Sequence, residues 1–207
     1  MGIFVILRST QRTPERSHLM LDQPGSSCTL DRVHFQEQVI SNTTIDPSSG
    51  AVPRPLEGHC LCGAVSIALH GANGEVDVCH CTMCQRWGGS FFGGVQGAAF
   101  DLSGRASVIS YRSSEWAERA FCKSCGSHLW FRFIPADHYS LLAGLFELPT
   151  DTPLQIKQQI FVDEKPGWFD FAQSSPMKTG AQIIAEAKAA GFDLGNPSAK
   201  EDHCPDA

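Results

Sequence analysis

A chain of 207 residues with 42% apolar and 9% aromatic content is long enough for one core-forming domain with extensions. Its formal net charge of −6, from 16 basic and 22 acidic side chains, gives no general attraction to phosphate backbones or anionic membranes, and no local basic patch stands out for nucleic acid. Phe outnumbers Tyr 13 to 2, which predicts a Phe-rich core.

Residues 1–52 are polar, carry Pro14, Pro24 and Pro47, and show no sustained apolar period, so they read as a leader that is poorly ordered or packed across the domain surface. Within it, Leu30 to Ile40 fits a short helix or strand. The apolar run Gly2 to Leu7 lacks a basic flank and a cleavage site, so secretion is not expected. No apolar stretch approaches the ~18 residues of a membrane span, and a cytoplasmic location is expected.

From Gly58 the pattern becomes short alternating segments, the mark of half-buried strands. Val65, Ile67 and Leu69 alternate with Ser66, Ala68 and His70. Further strands are predicted at Val76 to Val78, Val108 to Tyr111, Arg119 to Phe121, Leu129 to Phe133, Tyr139 to Ala143 and Gln158 to Val162. The fold class is therefore mainly β, with one domain over residues 53–172. In the remaining segment, 173–207, a helix is predicted over Ala181 to Ala190 with Gly191 as its stop, followed by a polar tail.

Seven of the nine cysteines fall on turns between these strands, as Cys60-Leu-Cys62, Cys79-His-Cys81-Thr-Met-Cys84 and Cys122-Lys-Ser-Cys125. An odd cysteine count with such spacing and no secretory segment points to metal coordination in a reducing compartment rather than to disulfides. Cys28 and Cys204 lie outside the clusters and read as incidental thiols. Because zinc takes about four ligands, seven thiols divide economically into a closed set of four and an open set of three. Sequence distance favours pairing Cys60 and Cys62 with Cys122 and Cys125 as a structural site, without fixing it. Cys79, Cys81 and Cys84 would then bind a second zinc with one position vacant; the alternative is a second structural zinc completed from elsewhere. His80 lies between two cysteines in extended backbone and should face away from a metal that both bind.

Zinc held by three thiolates carries one net negative charge, so it is a weak activator of water and favours a further sulfur ligand. A thiol-dependent reaction fits, with glutathione as the abundant cytosolic thiol and a carbonyl carbon as the simplest electrophile. Near the open set, Gly88 and Gly89, with Gly93 and Gly94 soon after, could let backbone N–H groups approach an anionic ligand, and Arg86 and Lys123 could pair with glutathione carboxylates. Plain turn geometry explains the glycines equally well. Trp87 reads as core or pocket wall.

The segments Gly58-His-Cys-Leu-Cys-Gly63, Cys79-His-Cys-Thr-Met-Cys-Gln-Arg86, Phe121-Cys-Lys-Ser-Cys-Gly126 and Ile160-Phe-Val-Asp-Glu-Lys-Pro-Gly-Trp168 resemble the glutathione-dependent formaldehyde-activating enzyme family, also called S-(hydroxymethyl)glutathione synthase-like or centromere protein V-like. The resemblance spans roughly Leu56 to Phe171. It implies an Mss4-like β-tent of short antiparallel strands, a structural zinc at Cys60, Cys62, Cys122 and Cys125, and glutathione bound through sulfur to a second zinc at Cys79, Cys81 and Cys84. The activity it implies is a carbon–sulfur lyase or synthase joining glutathione and formaldehyde. Two other readings stay open: a glutathione-dependent addition, elimination or isomerisation on a larger electrophile, for which Trp87, Phe91 and Phe92 would form the pocket, and a non-catalytic glutathione carrier or adaptor.

Overall fold

The computed structural model describes residues 38–41, 54–147 and 154–194. In chain order these form β1 (Gln38–Ser41), β2 (Leu56–His59), β3 (Ser66–His70), β4 (Glu75–Cys79), helix α1 (Thr82–Gly88), β5 (Phe92–Val95) and β6 (Ala99–Ser103). There follow β7 (Val108–Ser114), β8 (Ala117–Cys122), β9 (His128–Phe133), β10 (His138–Leu142), β11 (Gln155–Ile160), β12 (Met177–Lys178) and α2 (Gly180–Ala189). Two sheets result, one in the order β1-β6-β3-β2 and one in the order β12-β11-β4-β5-β10-β9-β8-β7.

The mainly β class is as expected, and the cause is visible strand by strand. In β3 the period-two pattern buries Ile67 and Leu69 and turns Ser66 to solvent; in β6 it buries Phe100 and Leu102 between outward-leaning Ala99, Asp101 and Ser103. Phe100 carries the first sheet onto the second, with ring centroids 5.7 Å from Trp130 of β9 and 5.4 Å from Tyr139 of β10. The sheets also meet at Gly58, bridged to Phe146, where a Cβ would lie 2.7 Å from the Leu145 carbonyl oxygen. Only glycine permits that approach.

Three features differ from the sequence reading. Pairing is antiparallel except at one edge, where β11 runs parallel to both β4 and β12, because long stretches of chain separate these strands and return them in the same direction. Gly93 and Gly94 are not a ligand loop but lie in β5, and a Cβ on Gly94 would come 2.7 Å from the Phe92 ring and 3.0 Å from Ser140 Cβ. Helix α1 was not expected, being seven residues long with too little sequence to establish a helical period.

The other helix runs Gly180–Ala189, close to prediction, and is started by a capping box in which Thr179 and Gln182 satisfy each other's backbone N–H groups. In the leader, Gln38–Ser41 pairs as β1 with β6; the rest of the Leu30 to Ile40 segment, Cys28 and Cys204 lie outside the described residues. Among the described residues no helix is long and apolar enough to cross a membrane.

Candidate functional site

Two loops of similar build bring the outer cysteine pairs together. Cys60 follows β2 and Cys122 ends β8; in each loop the glycine after the second cysteine adopts positive φ (Gly63 74°, Gly126 75°) and donates its N–H to the carbonyl of the first. The loops are also tied to each other, since Leu61 N–H donates to Ser127 Oγ at 3.0 Å. The four Sγ atoms of Cys60, Cys62, Cys122 and Cys125 lie within 4.8 Å of one another and could hold a metal ion. Cys60 to Cys62 is 3.6 Å and Cys62 to Cys122 is 3.8 Å. A tetrahedron with zinc–sulfur bonds of ~2.3 Å has edges of about 3.8 Å, so these spacings fit zinc, whereas a disulfide at ~2.05 Å is excluded.

Cys79, Cys81 and Cys84 also lie within 4.8 Å of one another. Cys79 is the last residue of β4, fixed between Phe92 of β5 and Ile160 of β11. Cys81 caps α1, accepting from Cys84 N–H at 3.5 Å, and the helix turn brings Cys84 back beside it. Gln85 and Glu164 hold this helix in place. Gln85 Nε2 donates to the carbonyls of His80 (2.6 Å) and Glu164 (2.8 Å), while the Glu164 carboxylate accepts from Thr82 N–H at 2.6 Å.

Without a cation, three packed thiols cannot all ionise. Cys84 accepts hydrogen bonds from Cys79 and Cys81 and lies beside Arg119, which holds it down to about 3. Cys79 is pushed well above the usual thiol range by donation to Cys81 and Cys84 and by burial. Cys81 is drawn down by Cys79, but donation to Cys84, burial and the Cys84 charge outweigh this and push it to about 11. In the four-cysteine set, hydrogen bonds from the Ser127 side chain and backbone bring Cys125 to about 5. Both sets can thus present thiolate to a cation, which completes their ionisation.

His80 is fully buried, and its Nε2 lies 3.0 Å from Gln159 Oε1. Gln159 Nε2 is used on Ser175, so His80 Nε2 carries the proton and donates. Around it pack Phe91, Phe169 and Phe171. Phe91 therefore belongs to a different cluster from Trp87, which stacks on Phe92 at 5.7 Å and on His128 at 4.1 Å. His59 spends its Nδ1 on the Cys60 carbonyl. Arg86, Gly88 and Gly89 are exposed on α1 and its end, and Gly89, at φ 82°, is the helix stop. Lys123 is exposed on the turn of the four-cysteine set.

The cation that does meet the three-cysteine set is Arg119, which the sequence reading placed in a strand and gave no role. It is 3% exposed, and its Nη2 lies 3.6 Å from Cys84 Sγ. Its guanidinium carbon sits 4.9 Å from the centre of the Trp87 ring and 5.4 Å from that of Phe131, its partner across the β8–β9 ladder. The available signal was alternation in Ala117-Glu-Arg-Ala-Phe-Cys122, which puts Arg119 on the same face as Ala117 and opposite Glu118.

A mainly β domain with one group of four and one group of three converging cysteines is the class of protein that this architecture defines. The family model described as glutathione-dependent formaldehyde-activating enzyme matches residues 55–164, and the chain belongs to that family. An uncharacterized lyase of Schizosaccharomyces pombe is 33% identical over 123 residues, covering 56% of this chain and 85% of the yeast protein. A crystal structure of a Rhodobacter sphaeroides protein, 20% identical, covers 46% of this chain and 93% of its own with a TM-score of 0.39.

Proposed function

We propose that this protein is a zinc- and glutathione-dependent carbon–sulfur lyase or synthase that interconverts glutathione and formaldehyde with S-(hydroxymethyl)glutathione. The observation that carries the reading is the convergence of Cys79, Cys81 and Cys84 within 4.8 Å, in a chain of this family. The lyase name of the yeast relative agrees with it. In this proposal Cys60, Cys62, Cys122 and Cys125 hold a structural zinc, and the three-cysteine set holds a second at which the thiol binds. A zinc ion there would keep an incoming thiol deprotonated near neutral pH while leaving it electron-rich.

The chain's own residues do the rest. Gln85 and Glu164 fix α1, which holds Cys84 beside Cys79 and Cys81 in the three-sulfur set. Trp87 and Phe92 make its apolar wall. The reaction forms a bond between the glutathione sulfur and the aldehyde carbon; the carbonyl π pair moves onto oxygen, which takes a proton. His80 is engaged with Gln159 and its aromatic neighbours, so water is assigned as the proton donor. The uncatalysed addition is already facile, and alignment with a maintained thiolate is all the protein must add.

The proposal places the catalytic domain at residues 53–172, between a leader at 1–52 and the helix and tail at 173–207, in the cytoplasm, where glutathione is abundant. Exchange NMR on glutathione and formaldehyde at equilibrium tests it. The zinc-loaded protein should accelerate exchange and Cys81→Ser should not. Unchanged exchange together with measurable glutathione binding would assign a carrier or another electrophile.

A further inference from the structure

Burying an arginine in a β domain is costly unless a negative charge offsets it. Among the described residues no carboxylate pairs with Arg119; the ion pairs join His70 to Asp101, Arg132 to Asp137, Lys157 to Glu75, Lys165 to Asp170 and Lys178 to Glu186. Trp87 and Phe131 face the guanidinium, but aromatic faces return only part of the desolvation cost. Nη1 is buried with no hydrogen-bond partner, and Nη2 contacts the sulfur of Cys84. The negative charge in contact with Arg119 is therefore that of the three-cysteine set.

We propose that Arg119 is the fixed counter-charge of the three-cysteine site and that it selects an anionic fourth ligand, a thiolate, over neutral donors. It acts as a positioning residue. The inference rests on the metal and thiol assigned to this site under Proposed function. A dication with three thiolates carries one net negative charge, and Arg119 returns the sum to zero. An incoming thiolate then joins a neutral site instead of an anionic one. Arg119 Nη2 lies 3.6 Å from Cys84 Sγ, so an incoming sulfur one ligand edge further on is about 6–8 Å away; a unit charge at that distance and an effective dielectric of about 20 changes binding by roughly thirty- to a hundredfold, and solvent screening lowers this toward tenfold. A neutral donor carries no net charge and feels Arg119 only weakly. Arginine suits this task because it stays charged when buried, and a lysine in its place would keep its proton because the anionic sulfurs it faces favour the charged form.

The test uses the full-length protein with cobalt(II) in place of zinc, so that visible absorption reports the fourth ligand, after metal content has been counted. Glutathione and, separately, imidazole are titrated into the wild type, Arg119→Gln and Arg119→Lys. Arg119→Gln is expected to weaken glutathione roughly ten- to a hundredfold and to leave imidazole within about threefold; Arg119→Lys is expected to stay within about threefold for both. Equal losses for the two ligands in Arg119→Gln would make Arg119 simple scaffolding and overturn the inference, as would no loss at all. Should Arg119→Gln not fold, Arg119→Lys decides alone, because a loss of about tenfold or more for glutathione with the charge retained overturns it. A wild type that takes up a single metal ion, or that ignores glutathione, overturns the proposed function and this inference together.

Discussion

Loading metal into the three-cysteine set should displace two protons at neutral pH. Cys84, held at about 3 by the hydrogen bonds from Cys79 and Cys81 and by Arg119, is already a thiolate. Cys81, pushed up to about 11, and Cys79, pushed well above the ordinary range, still hold their protons. A metal needs all three as thiolates, so protons and metal compete for two sulfurs. The sign follows directly: raising pH removes the competitor and tightens binding, and acid releases the metal. Each displaced proton is worth about tenfold in apparent affinity per pH unit, so two give about a hundredfold. Protein already carrying one zinc equivalent is titrated with zinc against a chromophoric chelator at two pH values one unit apart around neutrality. Calorimetry in buffers of different ionisation enthalpy counts the protons independently. An affinity that hardly moves with pH would show all three thiols ionised beforehand. A change of about a thousandfold would show Cys84 protonated as well and would refute the charge account of the site.

Cys122→Ser and Cys81→Ser should separate the two cysteine sets. Cys122 is fully buried at the end of β8, and a structural zinc contributes a free energy of ~10–16 kcal/mol, comparable with a whole folding free energy, so this variant should lose folded, soluble protein. Cys81→Ser should keep the circular dichroism spectrum and one zinc while losing the second; full metal content in both variants would refute the division of ligands. In the core, Phe100→Ala removes the ring that joins the sheets at Trp130 and Tyr139 and should cost about 3–5 kcal/mol in urea unfolding. A loss below about 1 kcal/mol would mean that the sheets do not meet there. Thr179→Ala removes half of the capping box and should destabilise α2 by about 1 kcal/mol, read as faster amide exchange confined to that helix.

The cysteine spacing made seven candidate ligands legible because knuckle geometry is local: a few residues, a positive-φ glycine and a carbonyl acceptor build each loop. The alternation of Ile67 and Leu69 with polar neighbours made β3 readable for the same reason, since the pleat couples each residue only to the next. The side His80 takes also followed from alternation. Less was legible where the sequence reading relied on nearness along the chain. Arg86 and Lys123, chosen because they adjoin cysteines, are exposed, and nearness along the chain gave no sign of Arg119, the cation buried against Cys84. It reaches Cys84 from 35 residues away, through the pairing of strands.

Local chemistry in the sequence thus determined the mainly β class, the C-terminal helix and the grouping of thiols within each loop. Tertiary structure decided which loops face each other, that the Gly93–Gly94 stretch is a strand packed against Ser140, and that β11 lies parallel to β4. It also put a guanidinium against the sulfur of Cys84. Those outcomes depend on sheet order and on burial by distant segments, and a one-dimensional pattern carries no term for the electrostatic cost of what ends up inside.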